Sequence, residues 1–461
     1  MPDHPLRIAV IGGLASGPAA AAEAVRHGAD VDLYEAGAHV SVGACEIPYF
    51  VADQLEGKAD LVVHSAEELE RTRGFRVFTR HRVTAIDARS GRLTVTALAH
   101  NASREERYDR FILATGARAN RLNVPGEDAA GVFSVRDYAD AVEIKRWLRT
   151  EDVRHVVVVG GGYVGVEMAE AMRDRGLRAT ILDPSGRVLA SSLHPDMGAP
   201  LAAAIKASGV AVRAELPTEI LADHEGRVVA VRTDRGELIG SQAVIVAIGV
   251  TPRTDLAESA GVRVGASGAL ATDERMRTNV RTLWACGDVA EVHRAIDGRP
   301  VHWPLAPVAR RTARVAARNA SARRGDADRF EGVTPSVAVR AFGVEVAAAG
   351  LSEASARDAG FDALAVQIRH VTRTTVQPGS KPIDVRLVVD RDRGRILGGQ
   401  IVSREGAALR ADVLVPLIRY GATARELAED LDLVYNPPLS PSVDPLVIAG
   451  SAALRALGRR G

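Results

Sequence analysis

One arrangement occurs twice in this chain: an apolar run, a glycine-rich turn, a helical stretch, a second apolar run and a carboxylate. In the first copy Arg7 to Ile11 feeds GGLASG, a helical stretch follows from Pro18 to Arg26, and Asp30 to Tyr34 ends at Glu35. In the second, Val156 to Val159 feeds GGGYVG, a helix is expected from Glu167 to Asp174, and Ala179 to Leu182 ends at Asp183. Glu35 follows Gly12 by 23 positions, and Asp183 follows Gly160 by the same 23. Such a repeat calls for an α/β chain with two doubly wound, parallel-stranded units, each presenting a turn suited to a dinucleotide.

At 461 residues the chain exceeds what one core usually serves, so two or three domains are expected. Arg76 to Leu98 alternates apolar and polar residues in hairpin fashion. Arg107 to Ala117 runs through FILAT into Gly116, and Ala243 to Gly249 closes in the same way. Past Asn319 short β-like runs alternate with helical ones (Glu353 to Ala359, Ala408 to Tyr420, Thr423 to Leu431), which describes an α+β domain. The pattern gives two nucleotide-binding units followed by a third domain at 330–461.

The formal net charge is +1, which gives no general attraction to nucleic acid or to an anionic membrane. Arg310, Arg311 and Arg314 form a local basic run, read as a solvated helix face. No stretch has the length and apolarity of a membrane span, and the opening MPDHPLRIAV is not a leader, so a soluble, cytoplasmic protein is expected. Cys45 and Cys286 are 241 positions apart and form no CxxC pair, so thiol chemistry falls to a single sulfur. No metal site is indicated.

Gly12 permits the tight turn of the first fingerprint and Gly17 the close approach of its helix, with Leu14 and Ala15 between them. Gly160, Gly162 and Gly165 fill all three positions of GxGxxG, with Tyr163 and Val164 inside the motif. Asp183 suits both hydroxyls of a ribose and repels a 2′-phosphate, so NADH is favoured and NADPH stands as the second donor; Arg187 is the nearby cation. Cys45 lies before a helix expected from Pro48 to Leu55, where the positive end of a dipole favours a thiolate. Cys286, in WACGD beside Gly287 and Asp288, reads as a packed thiol.

Together these motifs resemble the flavin-dependent pyridine nucleotide-disulfide oxidoreductases, within them the single-cysteine branch of coenzyme A disulfide reductases, persulfide reductases, and NADH oxidases and peroxidases. GGLASG with Glu35, YDRFILATGA (holding Ala114, Thr115 and Gly116), GGGYVGVEMAE with the later Gly249, and ACGDVA with Asp288 carry the resemblance almost end to end. It implies a discontinuous FAD-binding domain at 1–120 and 250–325, an NAD(P)H-binding domain at 121–249, and Cys45 as the redox cysteine beside the flavin. It also implies a homodimer built by the third domain, in which Tyr435 reaches the active site of the other subunit.

Four departures shape the expected substrate. Val376 and Gln377 stand where the reductases have paired tyrosines, and Glu23 and Val25 stand where arginines hold the coenzyme A diphosphate. Ala15 replaces the histidine of the peroxidases, and Glu46 replaces a glycine after Cys45, where its carboxylate bears on the thiol's proton affinity or acts as acid or base. His302, before the PLA segment, is a candidate partner for substrate or flavin. The expected activity is transfer of electrons from NAD(P)H through FAD and Cys45 to a small disulfide or persulfide. Coenzyme A disulfide is less favoured, and oxidase action, electron transfer to a carrier and reduction of another electrophile are the alternatives.

Overall fold

The computed structural model describes residues 4–55, 61–322 and 328–458. The expected limits at residues 1, 325 and 461 lie outside them. Three five-stranded sheets organise the described residues. In the first, the strand order is Leu283–Ala285, Arg110–Leu113, Arg7–Ile11, Asp30–Tyr34, Arg76–Phe78, all parallel. The second runs Ala211–Arg213, Arg178–Leu182, His155–Val159, Ala243–Val246, Val132–Ser134, again all parallel. The doubly wound class read from the repeat is therefore borne out. In the paired strands of both units the last four residues are buried, as expected for sheets covered on both faces.

The segment 283–285 returns to the first sheet from far along the chain, and the passage between the two sheets is a short antiparallel pair, Ala117–Ala119 with Val250–Pro252. The third sheet is antiparallel, in the order Ser336–Ala341, Val344–Gly350, Ile396–Ser403, Pro382–Asp390, Ala363–Val371.

Helix limits depart from expectation where turns lead directly into helix. Helix α1 spans Ser16–Arg26, so Pro18 lies in its first turn, where its missing N–H removes no helical bond. The stretch after Cys45 is shorter than expected: a 3-10 turn Ala44–Glu46 passes into α2, Ile47–Val51, and the chain then turns at Asp53 with φ +60°. Helix α3 is Ala66–Arg73, α4 is Tyr138–Thr150 and α5 is Tyr163–Asp174, which begins four residues before the expected Glu167. Arg76–Phe78 joins the first sheet as an edge instead of the hairpin, whose strands are His81–Asp87, Arg92–Ala97 and Ala102–Arg107. The stretch from Thr423 ends in a π-turn at Glu426–Asp430, and a further helix at Pro445–Gly458 carried no signal read from the sequence.

Candidate active site

A cleft of about 900 Å³ opens along the N-terminal end of α1, lined by Gly12, Glu35, Cys45, Asp288 and the turn Ala114–Gly116. At its base Gly12 has φ +111°, and a Cβ there would lie 2.1 Å from the Ala114 carbonyl oxygen. A Cβ on Gly17 would lie 1.7 Å from the Gly12 carbonyl oxygen, so both positions accept only glycine. Glu35 binds this turn through one oxygen, with Gly13 N–H donating to Oε2 at 2.6 Å, while its other oxygen accepts locally from Gly37 N–H at 2.6 Å. Leu14 and Ala15 line the wall above.

The second turn repeats this construction. Gly160 has φ +107°, with its virtual Cβ 2.4 Å from the Ala247 carbonyl oxygen, and that of Gly165 would be 2.0 Å from the Gly160 carbonyl oxygen. Gly161 N–H donates to Asp183 Oδ2 at 2.9 Å, while Ser185 donates to Oδ1 through its N–H at 2.9 Å and its hydroxyl at 2.5 Å. Gly162 differs: a Cβ there would meet nothing within 4 Å, so its side of the turn is open. Tyr163 follows with its phenol pushed up to about 12 by burial, and Val164 is exposed. Gly249, at φ +90°, accepts the Asn120 N–H at the passage between the two sheets. Arg187 is exposed on the turn that follows Asp183.

Cys45 is exposed to the cleft from its 3-10 turn. The expectation of a favoured thiolate is corrected. Burial of the sulfur among its neighbours, then the carboxylates of Glu46, Glu167 and Asp288, push the thiol up, and Arg136 opposes them only in part. Cys45 sits within the short turn instead of before a long helix, so little dipole acts on it. Glu167, at the second turn of α5, is itself raised to about 7 by burial, with Tyr49 as hydrogen-bond donor at 3.5 Å and Glu170 as a further upward influence. Cys286 is fully buried, with its thiol pushed up to about 12 by burial.

Asp288 is held from two sides. Its carboxylate pairs with Arg136 at 2.7 Å, and its carbonyl accepts from His302 Nε2 at 2.8 Å, which fixes that ring nitrogen as the protonated one. His302 thus sits behind the cleft and does not line it. Arg136 was missed because it belongs to none of the motifs, and Glu167, although inside GGGYVGVEMAE, was read only as the start of a helix. Tyr435 is 53% exposed, and with Val434 and Leu439 it lies on an apolar stretch away from its own chain's cleft.

The basic residues require two corrections. Glu23 does line the cleft but is buried and paired with Arg26 at 2.8 Å and Arg318 at 2.6 Å, so its charge is neutralised. Arg310 and Arg314 are not merely a solvated face: both line the cleft together with Arg73, and none of the three has a carboxylate partner among the described residues. Arg311 instead lies over the Phe330 ring at 4.8 Å.

The groove suits FAD on an observation of shape: two carbonyl-crowded glycines bring backbone close to a cleft that the Cys45 sulfur also lines. The open face at Gly162 beside Asp183 suits a nicotinamide dinucleotide in the same manner. No cluster of metal-binding side chains occurs among the described residues, and no helix of theirs is long and apolar enough to cross a membrane.

Comparison with known proteins agrees with this construction. Residues 6–313 match the pyridine nucleotide-disulphide oxidoreductase family and residues 335–446 its dimerisation domain. The chain is 33% identical over 444 residues to an NAD(P)H coenzyme A polysulfide/persulfide reductase of Pyrococcus horikoshii, covering 96% of this chain and 97% of that one. It is 29% identical over 457 residues to an NADH oxidase of Methanocaldococcus jannaschii, covering 99% and 100%. A solved NAD-dependent persulfide reductase from A. fulgidus superposes with a TM-score of 0.93 at 30% identity, covering 98% of this chain and 83% of that one. Two dinucleotide turns, one cleft sulfur and a match along nearly the whole chain lead to one conclusion: this protein belongs to the pyridine nucleotide-disulphide oxidoreductase family and is an FAD-dependent NAD(P)H oxidoreductase with that family's dimerisation domain.

Proposed function

We propose that this chain reduces a small persulfide or disulfide carried on a phosphorylated nucleotide thiol of the coenzyme A class, with Cys45 as its redox thiol. One observation supports the substrate class above others: Arg73, Arg310 and Arg314 line the cleft that holds Cys45 and have no carboxylate partner among the described residues. Guanidinium groups in this state suit phosphate oxygens. With Glu23 already neutralised by Arg26 and Arg318, the repulsion that disfavoured such a substrate is cancelled.

In this reading the turn Gly12–Gly17 with Glu35, the turn Ala114–Gly116 and Asp288 hold FAD, and the turn Gly160–Gly165 with Asp183 and Gly249 holds NAD(P)H. Bound there, FAD supplies the relay that carries two electrons from NAD(P)H to sulfur. Cys45 Sγ, as thiolate, attacks one sulfur of RS–SR′, forming Cys45–S–SR while R′S⁻ leaves and takes a proton from solvent. Two electrons then break the Cys45–SR bond, releasing RS⁻ and restoring the thiolate. For a persulfide R′ is hydrogen and hydrosulfide leaves. Glu46 sets the proton affinity of Cys45, His302 positions Asp288, and Tyr435 of the partner subunit of a homodimer bonds the substrate opposite Cys45.

The test follows NAD(P)H consumption with coenzyme A persulfide or disulfide and with an unphosphorylated disulfide. Replacing Arg310 and Arg314 together by alanine is expected to raise KM for the nucleotide substrate by about tenfold or more and to leave the unphosphorylated one nearly unchanged. Equal effects on both substrates would contradict the assignment. Dioxygen, the acceptor implied by the name of the oxidase relative, is the control acceptor in every assay.

A further inference from the structure

The helix that follows Cys45 belongs by sequence to the first nucleotide-binding unit but is anchored in the second. Ile47, Phe50 and Val51 of α2 are buried in one cluster with Ile144 and Trp147 of α4 and with Met168 and Met172 of α5. Cations seal the far end of α2, where unsatisfied carbonyls and the negative end of a dipole collect. Lys145 of α4 donates to the Phe50 carbonyl at 2.9 Å and lies 3.9 Å from the centre of its ring. Arg175, just past α5, donates to the Val51 carbonyl at 3.0 Å.

All these cations converge on one carboxylate. Asp53 pairs with Lys145 at 2.8 Å, with Arg149 of α4 at 2.8 Å and with Arg175. It is placed there by its left-handed backbone, φ +60°, a conformation that aspartate and asparagine adopt more readily than most residues. Lys145 and Arg175 have side chains only 10% and 13% exposed, so without Asp53 two poorly solvated cations would repel each other at the end of α2.

We propose that Asp53 is a positioning residue for the Cys45 chemistry: by gathering Lys145, Arg149 and Arg175 it clamps α2, which directly follows the Cys45 turn, to the nicotinamide-binding unit and fixes the sulfur relative to the site where electrons arrive. The inference rests on the assignment of Cys45 as the redox thiol. It is distinct from that assignment, because Asp53 lies at the opposite end of α2 from the sulfur and does not line the cleft.

The test is Asp53→Asn, which keeps the size and the left-handed tendency while removing the charge. Parent and variant holoenzymes are compared in two reactions: NADH-driven reduction of a disulfide, which needs Cys45, and NADH-driven reduction of ferricyanide, which does not. The expected result is a fall of about tenfold in kcat of the first reaction with KM for NADH nearly constant, unchanged FAD content, and ferricyanide reduction within about twofold of the parent. Parallel losses in both reactions, or no loss in the first, would overturn the clamp. Should Asp53→Asn fail to fold, Lys145→Met, which leaves Asp53 with two arginines, is read by the same criteria with the same deciding outcomes. Parent enzyme without cysteine-dependent turnover would instead refute the redox role of Cys45, a failure visible before any variant is made.

Discussion

Replacing Glu46 by glutamine removes one of the three carboxylates that push the Cys45 thiol up while leaving the volume of the turn unchanged. Among the charges acting on the sulfur Glu46 comes first, after burial, and it is the nearest in sequence. Taking about 7 Å as a representative separation for charges on adjacent side chains, with an effective dielectric between roughly 20 and 80, the interaction is about 0.6 to 2.4 kcal/mol. At 1.36 kcal/mol per pKa unit, Glu46→Gln should lower the Cys45 thiol pKa by about 0.4 to 1.8 units. Below that pKa the thiolate fraction then rises by about three- to sixtyfold. The sign is definite: the parent thiol sits above its ordinary value, so its thiolate appears only as pH rises, and the variant's curve moves to lower pH. The assay is the rate of iodoacetamide alkylation of Cys45 against pH in the reduced protein, with Cys45→Ser as the blank. An unmoved curve, or one moved to higher pH, would refute the electrostatic reasoning and return Glu46 to an exposed turn residue without influence on the sulfur.

Gly162→Ala and Gly165→Ala should separate function from folding. The first adds a methyl to open space on the nicotinamide turn and should raise KM for NADH with little loss of stability, whereas the second drives a Cβ to 2.0 Å from the Gly160 carbonyl oxygen and should lower the thermal midpoint or the soluble yield. Similar melting losses in both would contradict this. In stopped-flow flavin reduction NADH should be preferred to NADPH, since the Asp183 carboxylate stands at the turn where a 2′-phosphate would lie; a preference for NADPH in kcat/KM would show that Arg187 overrides it.

The parts of this molecule legible in its sequence are those whose geometry is local. Gly12 and Glu35, or Gly160 and Asp183, lie within one strand–helix–strand unit, so spacing alone implies the turn and the carboxylate that binds it. Cys45 was legible as a candidate, but its electrostatics were not. Glu167, Asp288 and Arg136, which act on its thiol, arrive from three other segments, and a dipole argument from the neighbouring residues gave the wrong sign. The misjudged Glu23 has the same origin, because its partner Arg318 is 295 positions away. Burial of α2 in the core of the other unit was likewise invisible, since an apolar IPYFV does not say which sheet it faces. Helix ends shifted for a simpler reason: a glycine turn delivers the chain already in helical geometry, so the apolar period begins after the helix has started.

The central claim is that electrons leave this protein through one sulfur. Its most direct test is steady-state NADH consumption by the FAD-loaded homodimer with coenzyme A persulfide as acceptor and dioxygen excluded, for the parent and for Cys45→Ser. The account predicts turnover by the parent, a fall of at least about a hundredfold in the variant, and equal rates of flavin reduction by NADH in both. A Cys45→Ser enzyme that reduces the persulfide as fast as the parent would contradict it.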